Sequence, residues 1–516
     1  MILVWLILIP FIGGLLSWQA DRWGEKAPRW IALATMVVVL GLTLVLWWQG
    51  DYQLLVPGSE AGGSAWALEW RVPWIARFGI DIHLALDGLS LVLIGLTGFL
   101  GVLAVLCSWK EIVQRIGFFH LNLLFILGGV VGVFLAIDLF LFFVFWEMML
   151  VPMYFLIALW GHSGSEGKTR IRAAVKFFIY TQASGLLMLV AILALVFVHH
   201  AATGEYSFSY GDLLDTPLSD ELAMVLMLGF FLAFAVKLPV VPLHGWLPDA
   251  HAQAPTAGSV DLAGILLKTG AYGMLRFALP LFPEASQSFA PIAMALGVVG
   301  VFYGAVLACG QRDLKRLIAY TSISHMGFVL IGIYSGSTLA LQGVVVLMVA
   351  HAFSAAGLFI LSGQIYERLH TRDMEKMGGL WGRLGSLPAF TLCFVAASLG
   401  MPGTANFIGE FMVLFGTFPV APWTVAIASG GLVLSAIYSL ILMQRVHFGP
   451  AQGEGRFRDL DWREYTMMLG ILALVLFFGL YPQPLLDTTD EVMAGVQGLF
   501  SAAGPGVTAF VSGGGR

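Results

Sequence analysis

The chain has 516 residues, of which 59% are hydrophobic and only 11% charged, and its formal net charge is −5. Soluble globular domains carry about 25% charged residues, so a water-soluble fold is excluded, and so small a net charge gives no footing for nucleic acid. The three cysteines, Cys107, Cys309 and Cys393, lie far apart without a C-x-x-C, which excludes a cysteine-ligated iron–sulfur or zinc site and a disulfide framework. Neither G-x-G-x-x-G after a strand nor G-x-x-x-x-G-K-[ST] occurs, so nucleotide binding has no motif to rest on.

A membrane-spanning helix needs about 20 mostly apolar residues. The hydropathy pattern predicts fourteen such spans, at 2–19, 30–48, 83–107, 117–136, 138–160, 173–199, 222–246, 257–281, 290–309, 314–334, 338–363, 388–417, 421–444 and 464–482. The expected fold class is therefore an all-α polytopic membrane protein. The first segment, MILVWLILIPFIGGLLSW, has no basic stretch before its apolar run and is expected to be a retained span rather than a cleaved signal.

Basic loops stay on the cytoplasmic side. The loops after spans 1, 3, 5, 9, 11 and 13 hold Arg22, Lys26, Arg29, Lys110, Arg115, Lys168, Arg170, Arg172, Lys176, Arg312, Lys315, Arg316, Arg368, Arg372, Lys376, Arg383, Arg445, Arg456, Arg458 and Arg463. These are twenty of the 26 Lys and Arg residues; the opposite side has Arg71, Arg77, Arg276 and Arg516. Both termini are expected to face outward. Lys237 and Lys268 remain, and both fall within spans.

A charge at the bilayer centre costs roughly 2.5–3.5 kcal/mol on insertion scales and marks an ion or proton path by default. This chain places four at depth: Glu147 in FFVFWEMMLVPMYF, Lys237 in FFLAFAVKLPVVPLHGWLPDAH, Lys268 in LAGILLKTGAYG and Glu410 in GMPGTANFIGEFMVLF. Two of each sign imply mutual pairing. Buried pairs are also found as purely structural features, but apolar replacement of such a pair is often neutral or stabilising, so packing alone does not demand this chemistry.

Interior prolines remove a helix hydrogen bond at a cost of ~3 kcal/mol. Pro239 and Pro242 directly follow Lys237, and Gly400, Pro402 and Gly403 precede Glu410. Freed carbonyls at membrane depth are tolerated only where they face protein or a wet cavity. Two broken spans in corresponding places are the signature of inverted repeats around a central site. Spans seven and twelve lie five apart, so they cross in opposite directions, as that symmetry requires. The expected divisions are 1–116 (three N-terminal spans), 117–285 (first repeat, spans 4–8), 286–447 (second repeat, spans 9–13) and 448–516 (a loop, span fourteen and an outer tail).

His244, His325 and His351 also fall within spans. A single intramembrane histidine is as readily a packing residue as a relay, but histidine titrates near neutral pH, and three beside two Lys and two Glu describe a hydrated polar axis. Asp261, seven residues before Lys268, either feeds protons inward or caps its helix after Ser259.

The stretches PLHGWLPDAHAQAPTAGSVDLAGILLKTGAYG, WEMMLVPMYFLIALWG and AYTSISHMGFVL resemble the signatures of the proton-conducting antiporter-like subunits shared by respiratory complex I and Mrp-type sodium/proton antiporters. The likeness covers essentially the whole chain. Within the family the chain is most similar to the M-type branch: it has Glu410 where L- and N-type subunits usually carry Lys, and it stops soon after span fourteen without the long lateral helix of the L type. The resemblance implies that Glu147 and Lys237 form a first charged pair, that Lys268 is a central lysine and that Glu410 faces the outer exit. It implies no metal and no cofactor on this chain, with NADH, FMN, iron–sulfur clusters and quinone in partner subunits, L- and N-type subunits as neighbours, and a place in the bacterial inner membrane with both termini periplasmic. Two other functions stay open: a cation/proton antiporter subunit of Mrp type, and a scaffold subunit that pumps nothing.

Overall fold

The computed structural model of the protein describes residues 1–50, 66, 68–162, 169–451 and 455–502. Lys168, Arg516 and the Gly- and Ala-rich tail beyond residue 502 lie outside the described residues. Twelve of the described helices are long and apolar enough to cross a bilayer: Ile2–Trp23, Lys26–Gln49, Gly88–Glu111, Ile116–Leu135, Leu139–Trp160, Arg170–Thr203, Thr256–Leu281, Pro283–Cys309, Leu314–Ile333, Thr338–Leu369, Pro422–Phe448 and Trp462–Leu480. They correspond to the predicted spans one to six, eight to eleven, thirteen and fourteen. The other two segments are interrupted. Span seven is the helix Asp220–Lys237, an irregular stretch and the short helix Leu247–Gln253. Span twelve is two half-helices, Leu387–Ser398 and Ala405–Thr417.

Burial orders these helices. The first two spans bury only 39% and 33% of their most apolar windows, whereas spans eight and eleven bury all of theirs. The former therefore lie at the rim of the bundle, and the latter form its centre. The charged residues predicted at depth sit on or against that centre.

Two features differ from expectation. Span three was expected from residue 83, but Ile80–Leu86 is a strand, paired antiparallel with Leu68–Ile75. The segment IDIHLAL alternates with period two, and two is the period of a strand. The helix starts only after Asp87, whose Oδ1 accepts from the Ser90 N–H at 2.8 Å; such N-caps satisfy otherwise orphaned donors. The second is a helix after span fourteen, Gln483–Ala502, which the tail reading did not anticipate.

Candidate functional site: a buried chain of ionisable groups

Span five is bent beside Glu147. Pro152 cannot donate a hydrogen bond to the Met148 carbonyl, and the helix divides at Met149 into Leu139–Met148 and Leu150–Trp160. Glu147 thus stands two residues before that division. Its carboxylate lies against the backbone of span six, where a Cβ on Gly185 would come within 1.9 Å of Oε1. Glycine at 185 is what leaves room for the acid.

Lys237 is the last residue of its helix, not the middle of a span as the hydropathy window placed it. Pro239 follows at φ +20°, and the chain stays irregular to Trp246. The ammonium is fully buried, over the Trp146 ring at 5.2 Å and the Phe177 ring at 5.9 Å. Glu147 and Lys237 lie within electrostatic range of each other, yet Lys237 Nζ and Glu147 Oε1 have no hydrogen-bond partner among the described residues. The expected pair is poised rather than closed. Because the helix ends at Lys237, His244 is not on a shared helical face with it; the imidazole lies edge-on to Tyr303, with ring centroids 5.1 Å apart.

Lys268 is the hub. Its helix is interrupted on both sides by π turns, Leu262–Leu266 and Met274–Ala278, a local geometry that concentrates at functional sites because it re-aims backbone groups. Nζ donates to the Ala263 carbonyl at 2.5 Å and lies 2.8 Å from Nδ1 of His351 on span eleven. The ring of His351 is 5.6 Å from that of His325. His325 Nδ1 is 2.9 Å from Glu410 Oε1, and its Nε2 is 3.3 Å from both Ser398 Oγ and Tyr438 OH. Lys268, His351, His325 and Glu410 are therefore one line of groups, each at most 3% exposed.

The break in span twelve shapes the end of that line. Gly400 and Gly403 take φ of +77° and +92°, the left-handed region that side chains disfavour. Pro402 stands between them. A Cβ on Gly400 would come within 2.7 Å of Glu410 Oε2. The turn thus presses the backbone against the carboxylate.

Asp261 does not cap a helix, since its helix begins at Thr256. It is fully buried, and both carboxylate oxygens lack partners among the described residues. The π turn that follows also upsets the seven-residue spacing to Lys268. Sequence reasoning passed over His251, within the same motif: it is fully buried and stacked on Phe359, centroids 4.5 Å apart. It also missed Asp87 and Arg276, a buried ion pair beneath the hairpin; Arg276 was counted only as an outer-side charge. Among the described residues no group of three or more His, Cys, Asp and Glu is placed to hold a metal ion.

A fold of this kind, with two broken spans around a line of buried ionisable groups, is that of a membrane ion-translocating subunit. Residues 136–437 match the family NADH:quinone oxidoreductase/Mrp antiporter, transmembrane region. The chain belongs to that family, and within it to the subunit M group. It is 65% identical over 503 residues, 97% of this chain and 98% of its counterpart, to NADH-quinone oxidoreductase subunit M of Escherichia coli K12. It superposes on a chain of respiratory complex I from Thermus thermophilus with a TM-score of 0.84 and 30% identity, covering 96% of this chain and 99% of that one. Likeness to the Mrp complex of Dietzia, at TM-score 0.78 and 23% identity over 96% of this chain and 52% of that one, is a likeness of fold.

Proposed function

We propose that this chain is a proton-translocating subunit in the membrane arm of NADH:quinone oxidoreductase, moving protons along Lys268, His351, His325 and Glu410. One observation carries the reading: a buried line of groups from an ammonium to a carboxylate through two imidazoles, hydrogen-bonded at both ends and with 5.6 Å between the two ring centres. Imidazole takes and gives protons near neutral pH. A merely structural pair has no use for two of them in series.

In this account Glu147 and Lys237 act as the switch. A signal from the quinone end changes their separation. An isolated buried ammonium is disfavoured, so Lys237 releases its proton through bound water towards Lys268 when the acid withdraws and reloads from the cytoplasmic side when it returns. Moving a charge against the membrane potential costs ~2.3 kcal/mol per 100 mV, which electron transfer in other subunits supplies. NADH, FMN, iron–sulfur clusters and quinone belong to those partners, and L- and N-type subunits flank this one. Glu410 delivers to the outer face, both termini are periplasmic, and residues 117–285 and 286–447 are the two inverted repeats.

The test is Glu147→Gln in inverted membrane vesicles, following NADH oxidation and proton uptake in one sample with assembly confirmed by co-purification. Loss of both in an intact complex supports the reading. Wild-type oxidation and pumping would leave the chain a scaffold.

A further inference from the structure

A second set of buried polar groups lies on the side of the basic loops, away from Lys237. A pocket of about 310 Å³ opens there between the ends of spans eleven and fourteen, lined by Lys110, Glu367, Arg368, Asp461 and Glu464. A smaller and more enclosed cavity shares Glu367 and Glu464; Thr256, Gly363, Gln364 and Arg463 also line it, with Cys107, Ile360 and Met467 as its less polar wall. Gln364 is 4% exposed, and neither its amide oxygen nor its amide nitrogen has a partner among the described residues. Ser362 Oγ is in the same condition, as are both ring nitrogens of His251 and both oxygens of Asp261.

Buried polar groups are hydrogen-bonded in folded proteins, and where protein supplies no partner, bound water does. Thr256, Asp261 and Lys268 follow one another in depth along span eight. Thr256 lines the inner cavity and begins span eight; Asp261 is about 7.5 Å further along that helix, and Lys268 about 10 Å beyond it. Spans eight and eleven touch closely at the cavity, where a Cβ on Gly363 would come within 2.4 Å of Thr256 Oγ1.

We infer that the cytoplasmic end of span eleven is a proton entrance of its own, admitting protons at Glu367 and passing them along water held by Gln364 to Asp261, and from there to Lys268 without passing Lys237. The inference rests on the reading of Lys268 as a proton carrier. The transfer is balanced: the Glu367 carboxylate takes a proton from the cytoplasmic water and passes it through the bound water to the Asp261 carboxylate, and the protonated Asp261 gives it to the neutral Lys268 amine, so that both acids return to their starting state. It separates two roles. The broken span seven with its Glu147–Lys237 pair gates, and span eleven supplies the hub.

The test uses the assembled complex in inverted vesicles, whose exposed face is the cytoplasmic one. Glu367→Ala is expected to slow NADH-driven proton uptake at least threefold, and external formate, a small proton carrier, to restore it. Gln364→Met keeps the side-chain volume and removes the polar atoms; it is expected to slow uptake comparably. Glu147→Gln runs alongside. Wild-type uptake in both Glu367→Ala and Gln364→Met, with Glu147→Gln inactive, overturns the entrance and leaves the proposed function standing. Full pumping in Glu147→Gln overturns that function and the entrance with it. A Glu367→Ala defect that formate does not relieve marks a structural role and also overturns the entrance.

Discussion

Lys268 Nζ lies 2.8 Å from His351 Nδ1, so a lysine of span eight and a histidine of span eleven share a contact 83 residues apart in sequence. Both are enclosed on all sides. The contact puts two separately expensive residues where what one group releases the other is in position to take.

Removing the imidazole is therefore expected to interrupt the line without disturbing its ends. His351→Leu should lower NADH-driven proton uptake about tenfold, while His351→Gln, which cannot titrate but still hydrogen-bonds, should lower it nearly as much. Proton uptake measured on co-purified, fully assembled complex checks this. Equal and normal rates in both variants would make His351 a packing residue.

Gly185 carries no chemistry, yet a methyl there would stand 1.9 Å from Glu147 Oε1. Gly185→Ala is expected to push the carboxylate off its seat and reproduce most of the Glu147→Gln defect. Gly470→Ala on span fourteen, whose added carbon meets nothing within 4 Å among the described residues, serves as the control and is expected to be much milder. The comparison is of NADH oxidation rates at equal complex content.

The Asp87–Arg276 pair is buried on both sides, and Asp87 also caps span three. Removing one partner of a buried pair typically costs 3–5 kcal/mol, because the other charge is left uncompensated. Asp87→Ala is expected to lower the amount of assembled complex recovered from membranes severalfold. The double variant Asp87→Ala with Arg276→Met should recover part of it.

Outside the membrane, Asp461 caps span fourteen in a capping box with Glu464 and contacts Lys110. Burial opposes its charge, but the Lys110 ammonium and the Glu464 N–H outweigh burial and hold its pKa below the ordinary carboxylate value. A folded-state pKa lower than the unfolded one gives stability that is present above about pH 3.9 and lost as pH falls through the folded value. Asp461→Ala should cost about 1 kcal/mol at neutral pH, as N-cap losses do. The difference from wild type in thermal unfolding should hold steady down to about pH 4 and close below it.

Much of this was legible in the sequence because the bilayer is a strict solvent. Charges and prolines in apolar runs are costly enough to stand out, and Glu147, Lys237, Lys268 and Glu410 were found that way. The line from Lys268 to Glu410 was legible only as a list: nothing in VLMVAHAFSAAG or YTSISHMGF states that His351 and His325 face each other across two spans. The π turns around Lys268 depend on backbone registers that apolar periodicity does not record. Hydropathy also misread the end of span seven and the start of span three, since a window averages over the break at Lys237 and over the strand Ile80–Leu86. His251, Gln364 and Asp87 look like ordinary polar residues near span ends. Only burial without a partner, or with a distant one, sets them apart.

The most direct test of the central claim is Lys268→Met in inverted vesicles, with proton uptake followed during NADH oxidation on complex whose assembly is verified by co-purification. Methionine fills the space and cannot carry a proton. A fall in uptake of at least tenfold in intact complex is the predicted result; uptake at the wild-type rate would show that protons do not pass through the line from Lys268 to Glu410.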